Sequence, residues 1–173
     1  MKQYFLTKGA GQSQLNSVKN HTTSFDDALV NAGIGNINIV TVSSMIPPNV
    51  SEVNYQPQKW GDIVFCIMAR KDGTRGKNIS CALLINEIFY GNELLGSIVL
   101  EYSGNGSEKV AQEKLLSQLG EMIQRRKYGN ASLKLYVGST TTHGYTIVPK
   151  RFIYEHVKVK KRYGTVMCSL CFI

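Results

Sequence analysis

Two adjacent prolines, Pro47 and Pro48, constrain the course of this chain more than any other pair of residues. Proline lacks a backbone N–H and holds φ near one value, so neither residue can continue a helix or a central strand. Ahead of them, Asn36–Ser43 alternates apolar and polar residues as a half-buried strand does. Upstream again, Ser24-Phe25-Asp26-Asp27-Ala28-Leu29-Val30-Asn31 predicts a short helix. Ser24 is a good N-cap, the two aspartates suit the positive end of the helix dipole, and Gly33 suits the helix terminus. Helix, turn, strand and forced bend therefore follow one another directly, and the bend carries a pair of serines, Ser43-Ser44.

Elsewhere strands dominate. Tyr4–Thr7 predicts a first strand, Gly9-Ala10-Gly11 a turn, and residues 12–23 a surface loop. After a loop over 49–61, Asp62–Lys71 reads as a strand and Asp72-Gly73 as a turn. Asn78–Tyr90 is apolar throughout and reads as a strand, although periodicity alone also permits a helix there. Leu95–Tyr102 is a further strand, broken by Gly104-Asn105-Gly106. Ser107 opens a long helix to about Tyr128, with Val110, Ala111, Leu115, Leu119, Met122 and Ile123 on one face and Gly129 closing it. The remainder predicts strands over Ala131–Thr140, Tyr145–Lys158 (interrupted at Pro149) and Tyr163–Ile173. Few helices and many strands, out of strict alternation, argue an α+β fold. With 173 residues, 43% hydrophobic and 18% charged, the expectation is one compact domain spanning 1–173. The start of the chain lacks the charged, then apolar pattern of a signal segment, and no apolar run reaches membrane-spanning length, so a soluble cytoplasmic protein is expected.

The net charge of +8 is placed unevenly: residues 121–173 hold ten basic and two acidic side chains. Clusters at Arg125-Arg126-Lys127, Lys150-Arg151 and Lys158–Arg162 could meet nucleic acid, but no nucleic-acid motif accompanies them. Lys158, Lys160 and Arg162 alternate as on a solvated strand face, so nucleic acid is not expected as a partner. Cys66 and Cys81 lie in apolar runs, and Cys168-Ser169-Leu170-Cys171 is a solitary CxxC in a strand-like context. A metal site wants a second such pair or nearby histidines, so structural use and no metal are expected.

The order FDxAL (from Phe25), AGIGN (from Ala32), a following Asn38 and VSSxIPP (from Val42) resembles the pyruvoyl-dependent arginine decarboxylases. The resemblance is clear over residues 24–48 and 95–107. It implies a four-layer αββα sandwich, assembled as a homotrimer or a hexamer. It also implies self-cleavage between Ser43 and Ser44 into a β chain, 1–43, and an α chain, 44–173. The hydroxyl of Ser44 would attack the carbonyl of Ser43, and elimination from the resulting ester would leave residue 44 as a covalent pyruvoyl cofactor. Asn38 matches the asparagine important for processing, and a side-chain amide can donate to a developing oxyanion. Glu101, in Val99-Leu100-Glu101-Tyr102-Ser103-Gly104, matches the glutamate that protonates the decarboxylated carbon. Asp26 matches the aspartate that binds the substrate guanidinium, whose planar fork a carboxylate meets with two hydrogen bonds.

Without the resemblance, Ser43-Ser44 is a strand end, Glu101 a polar strand residue and Asp26 a helix-dipole partner. The implied reaction is decarboxylation of L-arginine to agmatine and carbon dioxide. Alternatives are the same chemistry on another amino acid, a non-catalytic basic binding protein, and a processed but inactive structural subunit. Thr22 stands where the family usually carries leucine.

Overall fold

The computed structural model describes residues 2–15, 21–126, 140–142 and 145–173, with the backbone alone at 123, 124 and 140–142. In chain order the elements are β1 (Gln3–Ser13), α1 (Thr22–Asn31), β2 (Asn38–Thr41), β3 (Met45–Ile46), β4 (Ser51–Glu52) and β5 (Ile63–Thr74). Then come β6 (Asn78–Tyr90), β7 (Glu93–Gly104), α2 (Glu108–Arg125), β8 (Thr140–Thr142), β9 (Tyr145–Lys158) and β10 (Tyr163–Phe172). The strands form two sheets, ordered β2-β5-β10-β1-β4 and β3-β7-β6-β9-β8. Two helices with two mainly antiparallel sheets agree with an α+β fold. Most of the strand expected over 131–140, and the helix end expected at 127–129, lie outside the described residues.

Strand alternation divides the apolar side chains among three cores. Phe5, Ala28, Ile34, Val64 and Met167 pack under α1. Ile67, Leu83, Ile85, Val99 and Leu170 meet from the two sheets. Ala82, Leu84, Ile98, Leu100, Leu115 and Leu119 pack under α2. Leu83 and Ile85 thus face one core while Ala82 and Leu84 face another. Strand β6, with β7 and β9 as its neighbours, needs apolar residues on both faces. That is why its sequence carries no period to separate strand from helix.

Several local expectations are corrected. Gly9 and Gly11 do not form a turn; β1 runs straight through them. A Cβ on Gly9 would stand 2.2 Å from the carbonyl oxygen of Ala28, and one on Gly11 would stand 2.3 Å from that of Ser24. These glycines let α1 lie with its backbone directly on the strand. Asp72-Gly73 is likewise inside β5, and the turn falls at 75–77, where Gly76 has φ +85°. Helix α1 starts earlier than expected, with His21 at the N-cap in the left-handed region at φ 71°. Asp26 and Asp27 therefore lie beyond the first turn. Asp27 instead accepts the backbone N–H of Gln12 on β1 at 2.9 Å, which ties helix to sheet.

The basic alternation after Lys158 belongs to a turn, since β9 ends at Lys158. Gln12 Oε1 accepts the N–H groups of Lys160 (2.7 Å) and Lys161 (3.2 Å), and Gln14 Oε1 accepts that of Arg162 (3.2 Å). Two glutamines at the end of β1 thus satisfy a connection that the sheets leave unpaired.

All four cysteines are buried and unlinked. Cys81 and Cys168, from opposite sheets, approach to 3.5 Å between sulfurs. Burial raises the thiol of Cys171 to about 12 and also raises that of Cys66. For these thiols the folded value lies above the unfolded value of 9.0. Their contribution is complete below pH 9 and is lost as pH rises, because only the unfolded chain ionises freely. Thermal midpoints should accordingly fall steadily between pH 9 and pH 11, with alkylation of the thiols slow until the chain unfolds. A flat midpoint across that interval would contradict this account.

Candidate active site at the Ser43–Ser44 bend

The chain crosses from one sheet to the other between β2 and β3. β2 pairs in parallel with β5, and the N–H of Val42 extends that ladder to the carbonyl of Cys66 at 2.9 Å. β3 pairs with β7 of the second sheet, Met45 opposite Ile98. The Ser43–Ser44 peptide lies in the crossing. The prolines thus have a positional reason: they stop β3 after two residues, where its course along β7 ends.

Hydrogen bonds hold the bend on both sides of residue 44. The carbonyl of Ser44 accepts the N–H of Val99 at 2.9 Å. The carbonyl of Ser43 accepts the N–H of Met45 at 2.9 Å, a bond from residue i to i+2 that closes a γ-turn about Ser44. Ser44 has negative φ, since His21 alone among the described non-glycine residues is positive, so the turn is of the inverse form. The carbonyl that Ser44 would attack therefore already has an N–H donor, and hydrogen bonds of this kind stabilise a developing oxyanion.

The hydroxyl of Ser44 donates to Glu101 Oε1 at 2.9 Å. Strand β7 brings the carboxylate there by alternation. Leu100 and Tyr102 pack toward α2, which turns Val99 and Glu101 to the face that looks at the other sheet. Ser44 is half-buried and Glu101 exposed. Beside the bend, Val42, Ser43, Met45, Pro47, Val50 and Phe65 line an apolar cavity of about 330 Å3.

Ser43, Ser44 and Glu101 are thus brought together, while the other two expected residues stand apart from them. Asn38 donates its side-chain amide to the carbonyl of Gly61 at 2.9 Å, not to Ser43. The N–H of Gly61 returns a bond to the carbonyl of Asn36 at 2.9 Å, so Asn38 fastens the turn before β5 to the strand leading into the bend. Asp26 is exposed on α1. The Met45 N–H was missed by sequence reasoning because every non-proline residue has one and no side chain marks it.

Fold and site together define a chain with a hydroxyl and a carboxylate assembled around one of its own peptide bonds. Residues 3–173 match the family model for pyruvoyl-dependent arginine decarboxylase. A relative from Archaeoglobus fulgidus, named pyruvoyl-dependent arginine decarboxylase 2, is 30% identical over 72% of this chain and 82% of its own. One from Pyrococcus furiosus, named pyruvoyl-dependent arginine decarboxylase, is 30% identical over 68% of this chain and 75% of its own. A relative of that name from Methanococcoides burtonii is 32% identical over 64% of this chain. The matched segments span 61% of the M. burtonii protein and 49% of a Methanopyrus kandleri relative. The chain belongs to the pyruvoyl-dependent arginine decarboxylase family.

Proposed function

We propose that this chain cuts itself between Ser43 and Ser44 and then decarboxylates L-arginine to agmatine and carbon dioxide. The observation that carries the reading is the Ser44 hydroxyl bonded to Glu101 at 2.9 Å, beside a carbonyl that already accepts an N–H. Glu101 takes the hydroxyl proton as the oxygen adds to the Ser43 carbonyl, and the Met45 N–H supports the negative charge on that carbonyl oxygen. The C–N bond breaks as its nitrogen takes up that proton, leaving an ester and a free amine on residue 44. Elimination frees residue 43 as a carboxylate, and hydrolysis of the resulting dehydroalanine releases ammonia. Asn38 aids this step by fastening the strand before the bend to the turn at Gly61.

The residues present fit a pyruvoyl group at position 44. Val99 already holds that residue's carbonyl, and Glu101 stands against its side chain. Such a group, once formed, supplies an electron-withdrawing ketone that stabilises charge at the substrate α-carbon as carbon dioxide leaves. Glu101 delivers the proton to that carbon, and Asp26, which stands apart from Ser44 within one chain, receives with a two-pronged hydrogen bond the guanidinium of substrate held at a neighbouring copy's bend.

The three cores support a four-layer αββα sandwich formed from a single 1–173 domain. Val40 (40% exposed) and Met45 (45%) lie beside the bend, and Trp60 (84%) and Ile63 (67%) stand just before and at the other end of the β2–β5 ladder, exposed apolar side chains suited to neighbouring copies in a trimer or hexamer. No helix among the described residues is long and apolar enough to cross a membrane, and a cytoplasmic enzyme is the reading we adopt.

A denaturing mass spectrum tests the first half of the proposal. Two chains should appear, one ending at Ser43 and one beginning at residue 44, the latter lighter than its encoded mass by one ammonia. Carbon dioxide release from arginine, lysine and histidine then tests the substrate. An intact chain under processing conditions would overturn the reading; cleavage with preference for another amino acid would retain the chemistry and reassign Asp26.

A further inference from the structure

We infer that Arg70, Asp72 and Thr165 form a positioning cluster that sets the guanidinium-binding helix, and that they control affinity for arginine without touching it. The inference rests on Asp26 as the guanidinium ligand. Asp72 Oδ1 accepts a bond from Arg70 Nε (3.1 Å) and another from Thr165 Oγ1 (2.7 Å). Its Oδ2 lies 2.9 Å from a terminal nitrogen of Arg70, which completes a two-pronged pair. Thr165 Oγ1 is in turn 2.9 Å from Ser24 Oγ, and both residues are fully buried. Ser24 belongs to α1, two residues before Asp26. On the other side, the guanidinium carbon of Arg70 lies over the Phe25 ring, 3.8 Å from its centroid. The same turn of α1 is therefore held by a buried hydroxyl pair and by a cation over an aromatic ring.

The cluster also reaches the catalytic strand. The carbonyl of Arg70 accepts the hydroxyl of Ser103 at 2.8 Å, and Ser103 stands two residues beyond Glu101 on β7. One junction thus joins the helix that bears Asp26 to the strand that bears Glu101. A carboxylate that must meet a planar fork with two bonds tolerates little displacement, and an error of about 1 Å in such geometry costs about 100-fold.

The decisive variant is Thr165→Val, which keeps the shape and removes the hydroxyl. It should self-cleave to the wild-type extent and raise KM for arginine about tenfold with kcat within about twofold, while Thr165→Ser restores KM. Arg70→Lys keeps the charge but loses the guanidinium over Phe25 and the Nε bond. It should show the same split should Thr165→Val fold poorly. Asp26→Asn should raise KM about 100-fold, the loss expected when one partner of a charged pair is removed. Thr165→Val placed in that background should add nothing, because the cluster acts through Asp26. An unchanged KM in both single cluster variants, a fall in kcat instead, or additivity with Asp26→Asn would each overturn the inference. If Asp26→Asn itself leaves KM unchanged, the guanidinium assignment fails first, and the inference falls with it for that separate reason.

Discussion

Ser44→Ala should yield one uncut chain of 173 residues that releases no measurable carbon dioxide from arginine. The expected loss is total because in the proposed mechanism one hydroxyl serves twice, as the nucleophile that breaks the backbone and as the leaving oxygen whose elimination with the residue 43 carboxylate lets water build the ketone at residue 44. No neighbouring group can replace it. Ser43 precedes the carbonyl to be attacked, and the hydroxyl bonded to Glu101 is that of Ser44. The fold should be indifferent to the change. The bonds that hold the bend use the carbonyls of Ser43 and Ser44 and the N–H groups of Met45 and Val99, all of which alanine retains. A half-buried hydroxyl with one partner contributes about 1 kcal/mol, so the melting temperature should move by a few degrees at most. Mass spectrometry under denaturing conditions, a labelled-arginine assay and a thermal melt decide the matter together. Two chains from Ser44→Ala would place the cut elsewhere and remove the basis of the proposed mechanism.

The parts of this site that the sequence made legible are those where chemistry depends on a side chain. Ser43, Ser44 and Glu101, each singled out in the sequence, lie together at the bend, and the Pro47-Pro48 stop is where β3 ends. What stayed hidden is what the backbone supplies or what depends on neighbours distant in sequence. The γ-turn at Ser44 comes from the N–H of Met45, a group that any residue would offer. Gly9 and Gly11 punctuate the sequence as a turn would, yet their lack of a side chain serves the close passage of α1, a contact invisible until both elements are in place. Ser24 has the composition of a helix cap, but a buried hydroxyl on β10, more than a hundred residues away, engages it inside the helix. Local propensity lost at each of these points to a tertiary contact.

Glu101→Gln should separate holding the Ser44 hydroxyl from accepting its proton. Glutamine keeps an oxygen where Oε1 now receives the hydroxyl at 2.9 Å, so the geometry of the bend should survive. It cannot take the proton, and self-cleavage should slow by about 100-fold or more, the usual worth of a positioned base. Protein left long enough to accumulate the 44–173 chain should then show a second defect. Its kcat for arginine should fall by a comparable factor while KM changes little, because the proposed function gives the guanidinium end of the substrate to Asp26 and not to Glu101. The time course of chain formation, followed by steady-state kinetics on the cleaved fraction, measures the two losses separately. Wild-type cleavage with impaired turnover would mean that the Ser44 proton leaves by another route and would confine Glu101 to decarboxylation. The double loss is expected because the two demands never coincide. While the chain is intact, the serine hydroxyl occupies Glu101, and in the proposed mechanism the carboxylate then acts as a base. Once residue 44 has lost that hydroxyl, the same carboxyl group is free, and the next step requires an acid in its place.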